Sequence, residues 1–243
     1  MIIVGNGMVV TRDESNTVIT DGAVCMKENR IEEIGNRLDM LKAYPKAEFI
    51  DAKGGVIMPG FINTHSHIYS AFARGLSIPG NKPADFLDIL EGTWWRVDRK
   101  LTLKQVYLSA ISTYLDCIKN GVTTVFDHHA SYGEVKGSLS QISEAAKEAG
   151  VRTCLSYEVS DRVGKDKMIE ALKENLDFAA VCKKDSNSMQ KAMIGMHASF
   201  TLSDETLKHC TDKNRDDIGY HIHVAEGLSD ALHWCMTGEP MNL

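Results

Sequence analysis

Met58-Pro59-Gly60-Phe61-Ile62-Asn63-Thr64-His65-Ser66-His67 decides the reading of this chain. The apolar residues Val56-Ile57-Met58 and then Phe61-Ile62 lead to two histidines spaced i, i+2. Side chains alternate faces along a strand, so residues two apart point the same way. Two imidazoles on one face, at one end of a buried strand, make half of a metal site.

Outward from this stretch the pattern changes on either side. Residues 1–55 read as short strands, Ile2–Val4, Met8–Val10, Val18–Ile19, Ala23–Met26 and Arg30–Ile34, with hairpin turns expected at Asn6-Gly7, Asp21-Gly22 and Glu28-Asn29. Residues 56–243 read as strands alternating with helices. The strands are Val56–Asn63, Val122–Asp127, Arg152–Val159, Ala192–His197 and Gly219–Ala225. Between them, Leu108, Ile111, Leu115 and Ile118 keep a helical spacing, as do Met168, Leu172 and Leu176. Asn120-Gly121 and Ala149-Gly150 stand where a helix would close. Such alternation implies a parallel sheet.

The histidines collect at the C-terminal ends of these strands: His65 and His67 on the first, His128 and His129 on the second, His197 on the fourth, His221 and His223 on the fifth. In a (β/α)8 barrel that face carries the reactive groups. Of the nine histidines only His209 and His233 fall elsewhere. The spacing of the first pair recurs at His221 and His223, of which His223 is expected nearer the open end and His221 deeper and hydrogen-bonded. Glu226, three residues on, can reach a metal-bound water or be an ordinary helix-start glutamate. His197 can polarise a substrate, add a ligand, or be a satisfied rim histidine. His128 and His129 are adjacent, so at most one points inward. Asp127 and Glu158 read as structural hydrogen-bonders, and Trp94-Trp95 as a pocket wall or as core packing.

Composition sets the outer limits. The 243 residues are 43% hydrophobic and 25% charged, as in an ordinary globular protein, and the net charge of −6 gives no support for nucleic-acid binding. Cys25, Cys117, Cys154, Cys182, Cys210 and Cys235 form no Cys-x-x-Cys pair, which suits a reducing compartment. The N-terminus lacks the basic and apolar regions of a signal peptide, and no stretch approaches the ~20 apolar residues of a membrane span. A cytoplasmic protein with a small-molecule substrate and no membrane or nucleic-acid partner is expected. Gly5-x-Gly7 lacks a third glycine, and neither a P-loop nor a Gly-x-Ser-x-Gly elbow occurs.

Taken together, Pro59–His67 resembles the strand-one signature of the amidohydrolase superfamily, in its deaminase-like branch. His221-Ile222-His223-Val224-Ala225-Glu226 resembles its strand-five signature, and Val18–Val24 with Asn29-Arg30-Ile31 is similar to its N-terminal β-sandwich. The likeness covers residues 1 to about 232. It implies an α/β fold: a partial (β/α)8 TIM-type barrel of about five βα units, preceded by a small N-terminal β-sandwich portion. It implies one divalent metal, zinc with iron as the alternative, on His65, His67 and His223. It implies that Glu226 shuttles protons and that His197 contacts substrate. Binuclear members carry a carboxylated lysine at the end of strand four; here the lysine, Lys191, sits at the other end, which favours a mononuclear site. The implied reaction is hydrolysis of a non-peptide C–N bond, as in an aminohydrolase or deaminase of an amino-substituted heterocycle.

The likeness also implies a departure. Relatives continue past strand five to a histidine on strand six, an aspartate on strand eight and a segment that completes the β-sandwich, whereas the residues from about His233 to Leu243 no longer resemble the family. A truncated chain is expected, with both edge strands unpaired and the ligands on opposite margins of an incomplete cylinder, binding metal weakly and turning over negligibly by itself. A non-catalytic remnant completed by a C-terminal fragment or a second copy is one alternative. A cyclic-amide hydrolase of the hydantoinase type is the other, and the lysine position argues against it.

Overall fold

The computed structural model describes residues 1–228; the departure expected over about His233–Leu243 lies outside the described residues. The chain divides into two compact units, Met1–Gly60 and Phe61–Leu243. No helix among the described residues is long and apolar enough to cross a membrane.

The first unit is a mixed sheet of β1 (Ile2–Val10), β2 (Val18–Lys27), β3 (Arg30–Asn36) and β4 (Glu48–Asp51) in the order β3-β2-β1-β4, with α1 (Arg37–Ala43) and a short β5 (Val56–Ile57) beside β1. Ile3, Ala23, Cys25 and Met40 form its core. The hairpin expected at Glu28-Asn29 is present, with Glu28 in the left-handed region at φ 56°. Asn6-Gly7 and Asp21-Gly22 are not turns. Gly7 pairs with Gly22 in mid-strand, at a register shift of the β1–β2 ladder. The glycines serve close packing instead: a Cβ on Gly7 would lie 2.4 Å from the Gly55 carbonyl oxygen, and one on Gly22 2.4 Å from Val9.

In the second unit β6 (Phe61–Ser66) opens a parallel sheet. The single strand expected over Val56–Asn63 is thus two strands. Pro59-Gly60 interrupts the run, and Val56–Ile57 joins the first sheet through Met8 and Val9. Short helices α2 (Phe86–Ile89) and α3 (Trp95–Asp98) follow, then α4 (Leu103–Lys119), β7 (Val122–His129), α5 (Ser138–Ala149), β8 (Arg152–Val159), α6 (Lys165–Cys182), β9 (Gln190–Ala192), β10 (Ile194–Ala198), α7 (Asp204–Lys213) and β11 (Tyr220–His223). The sheet order is β11-β10-β8-β7-β6, with β9 also on β8. The expected strand Ala192–His197 is therefore broken at Met193.

Local chemistry explains the helix limits. Thr102 and Gln105 form a reciprocal capping box at the start of α4. Gly121 and Gly150, both left-handed, follow α4 and α5 where the sequence places them. On α6, Met168 and Leu172 are buried as their spacing predicts. On α4 the buried stripe is Val106, Ala110, Tyr114 and Cys117, whereas Leu108, Leu115 and Ile118 are exposed. The spacing identifies the helix, and of its four residues Ile111 packs against the core. The core between helices and sheet contains Leu139, Ile142, Leu155, Tyr157 and Ile194, each with no exposed surface. Burial of such a side chain contributes about 1.5–3 kcal/mol.

Four inter-strand steps of ~4.8 Å would hold the edges of a flat five-stranded sheet ~19 Å apart. Here the ring of His223 at the end of β11 lies 3.2 Å from that of His65 at the end of β6. The sheet is curled, and its two edges meet at the face where the strands end.

Candidate metal centre and cleft

Three imidazoles converge at that face. The Nε2 atom of His223 lies 3.2 Å from Nε2 of His65 and 3.2 Å from Nε2 of His67, and ligand atoms of all three lie within 4.8 Å of one another. The opposite ring nitrogens explain why Nε2 faces inward in each. His67 Nδ1–H donates to the His128 carbonyl oxygen at 2.8 Å, and His223 Nδ1–H to the His197 carbonyl oxygen at 2.9 Å. A carbonyl only accepts, so these contacts fix the tautomer. For His65 the chain of donors runs through His221. Ser156 Oγ–H donates to the Asp127 carbonyl at 3.0 Å and so accepts from His221 Nδ1–H at 3.4 Å. That leaves His221 Nε2 to accept from His65 Nδ1–H at 2.9 Å. Thus His221 is deeper and hydrogen-bonded, orienting His65.

Three Nε2 lone pairs then face one point. Tetrahedral ligands at ~2.0–2.1 Å from a zinc ion stand about 3.3 Å apart, close to the 3.2 Å that separates His223 from each of the other two. Without a cation the same apposition is repulsive. Burial, with the neighbouring His223, holds His67 down to about 4 and also lowers His65. Burial, then His65, holds His221 down to about 4. Neutral imidazoles at neutral pH are the form that binds a metal. The donor set therefore fits one divalent ion.

Beside the triad opens a cleft of about 580 Å³, solvent space included, a size suited to a small molecule. His67, His223, His197, Glu158 and Glu226 form its polar side, and Tyr69, Phe86, Leu90, Trp94 and Trp95 its apolar side. Glu226 is carried to the rim by a turn at Ala225, whose φ is 56°. His197 is 4% exposed, with Nδ1 2.7 Å from Thr201 Oγ1. Both tryptophans wall the cleft, while Trp94 also packs on the core. His128 and His129 face opposite sides of β7. The ring of His128 lies 4.6 Å from that of His223, and the ring of His129 packs 5.7 Å from Tyr157.

Sequence reasoning did not place Tyr69, Phe86 or Leu90 in this wall. They follow the first strand in a stretch with neither strand nor long helix to order it, so no periodicity marks them. Glu158 had a signal, its position at the C-terminal end of the third parallel strand.

The amidohydrolase family profile matches residues 56–237, about three quarters of the chain. A 5'-deoxyadenosine deaminase of Methanosarcina barkeri is 30% identical over 233 residues, 95% of this chain and 50% of that one. Among solved structures, an atrazine chlorohydrolase variant from Arthrobacter aurescens TC1 complexed with zinc and atraton superposes with TM-score 0.79 at 20% identity, over 98% of this chain and 56% of that one. A guanine deaminase from C. acetobutylicum with bound guanine superposes with TM-score 0.80 at 19% identity, over 98% and 57%. The chain spans about half the length of the curated relatives it matches. With its family profile, parallel half-barrel and histidine signatures, this chain belongs to the amidohydrolase family.

Proposed function

We propose that the cleft serves metal-dependent hydrolysis of a non-peptide C–N bond, the deamination of an amino-substituted heterocycle. The observation that carries this reading is the convergence of three Nε2 atoms beside an aromatic wall and a rim carboxylate. Its relatives include proteins named for deamination of 5'-deoxyadenosine and guanine, which supports an amino-heterocycle as substrate.

In this proposal His65, His67 and His223 hold one ion, zinc in preference to iron, and that ion supplies Lewis-acid activation of water. Glu226 accepts the proton of the attacking water at its carboxylate and returns it to the ring nitrogen or the departing amine. General acid–base help of this kind is worth about 10²–10⁴-fold. His197, in the same polar lining of the cleft, steadies charge developing on the substrate. Tyr69, Trp94 and Trp95 hold the ring flat and exclude water from it. Five unpaired cysteines among the described residues fit a cytoplasmic setting.

Metal analysis and ammonia release test this together. The chain should retain about one zinc, and His67→Ala or His223→Ala should weaken zinc binding by more than about 100-fold. Ammonia release from 5'-deoxyadenosine and guanine is to be followed on this chain and on a form extended to the length of its relatives. Zinc content unchanged by either substitution would refute the centre; no ammonia from the zinc-loaded extended form with any amino-heterocycle would refute the reaction.

A further inference from the structure

A group of fixed charges behind the cleft is unused in that mechanism. Glu158, at the end of β8, lines the cleft but is only 2% exposed. Its Oε1 accepts from Arg162 Nη2 at 3.0 Å and from Arg162 Nε at 3.3 Å. Arg162 also pairs with Asp98, which has no exposed surface. The guanidinium lies between two rings, 5.0 Å from Trp95 and 4.5 Å from Tyr132. The second carboxylate oxygen, Oε2, stands 4.0 Å from His197 Nε2.

Two carboxylates share one guanidinium, so these three residues carry a formal charge of −1 away from water. A buried charge is tolerated where partners compensate it. Burial pushes the Glu158 carboxyl up, but His197 and Arg162 outweigh it and hold it below the usual glutamate range. Glu158 is thus an ionised acceptor whose orientation is fixed from behind. A carboxylate accepts hydrogen bonds and cannot donate them.

We propose that Glu158 is a specificity residue of the cleft, accepting a hydrogen bond from a ring N–H or amino group of a planar nitrogen heterocycle seated against Tyr69, Phe86, Trp94 and Trp95. This rests on the heterocycle reading of the cleft and adds which kind of ring edge is recognised. An edge that offers only lone pairs meets the carboxylate without a bond and is rejected.

The test is calorimetric binding to the zinc-loaded chain of 9-methylguanine, which carries N–H donors, and 9-methylpurine, which carries none. The unsubstituted chain should favour 9-methylguanine by at least about tenfold. In Glu158→Gln, Arg162 can only donate and so retains the amide oxygen, which turns the amide NH2 towards the cleft. The acceptor is replaced by a donor, and the preference should fall to about threefold or less, or reverse, with zinc content unchanged. Asp98→Asn removes the other carboxylate on Arg162 Nη2, one that does not line the cleft, and should keep the preference even where it lowers the melting temperature. Equal binding of the two ligands by the unsubstituted chain overturns this proposal, whatever the variants do. So does a preference that survives Glu158→Gln or is lost in Asp98→Asn. Failure of both ligands to bind the zinc-loaded chain overturns the proposal together with the heterocycle reading.

Discussion

Asp127 has no exposed surface, and its two oxygens live differently. Oδ1 accepts from the Ile68 backbone N–H at 2.6 Å, which ties the residue after His67 to β7. Oδ2 has no hydrogen-bond partner among the described residues and lies 3.9 Å from Nδ1 of His129. Burial pushes Asp127 up to about 8 and His129 down to about 3, so both are uncharged at neutral pH. The raised carboxyl makes folding take up a proton between the unfolded value near 4 and the folded value near 8. Its stabilisation is complete at low pH and is lost as pH rises through that window, by up to about 1.4 kcal/mol per pH unit. Asp127→Asn keeps the acceptor for Ile68 and cannot ionise. In urea unfolding from pH 5 to pH 8, stability of the unsubstituted chain minus that of the variant should fall steadily. The buried histidines, which titrate at the acid end in both proteins, cancel in that difference. A pH-independent difference would mean that Asp127 is ionised in the fold. The sequence showed Asp127 at a strand end but not its protonation, since its burial depends on packing across the sheet.

At the scale of elements, β8 and β10 pair in parallel, and one side chain and one missing side chain fit them together. Asn175 on α6 accepts from the Tyr157 and Gly195 amides at 2.7 and 3.2 Å and donates to the Tyr157 and Ala171 carbonyls at 2.8 and 3.0 Å. Gly195 sits so close to β8 that a Cβ would lie 2.4 Å from the Tyr157 carbonyl oxygen. Backbone cannot yield as a flexible side chain does, so Gly195→Ala should destabilise the chain by about 1–3 kcal/mol. The measurement is a lower urea midpoint at unchanged m-value; an unchanged midpoint would show that β10 can move away from β8 without cost. The sequence made β7 and β8 legible because each carries apolar and β-branched residues just after a helix-closing glycine, Gly121 or Gly150, with a helix on either side. It was ambiguous where a turn dipeptide, Pro59-Gly60, stands inside one apolar stretch. Val56–Asn63 reads as one strand because Val56-Ile57-Met58 and Phe61-Ile62 are both apolar, yet Val56–Ile57 and Phe61–Ser66 join different sheets. On α4, Leu108, Leu115 and Ile118 keep the same helical period as Val106, Ala110 and Tyr114, so the spacing marks the helix without saying which side meets the sheet.

At the scale of the whole molecule, the site was legible as residue types at strand ends, and its closure was not. His65 and His67 belong to one edge of the sheet and His223 to the other, yet their rings meet. Curvature comes from the accumulated twist of parallel strands and the packing of helices on the outer face, and neither is written in any local stretch. The consequence is that an ion held by the triad would join β6 to β11 across a sequence separation of 156 residues. Such a link stabilises the folded state by mass action, by about 2.7 kcal/mol at a free-ion concentration 100 times the dissociation constant. The two tryptophans among the described residues, Trp94 and Trp95, belong to the second unit, and residues 1–60 contain no tryptophan. Tryptophan fluorescence therefore reports the unfolding of the half-barrel alone. Added zinc should raise that transition by several degrees, a chelator should reverse the shift, and His223→Ala should abolish it although it leaves His65 and His67 in place. A zinc-dependent shift that persists in His223→Ala would mean that the ion is held by one edge only, and that the curl of the sheet does not depend on the metal centre.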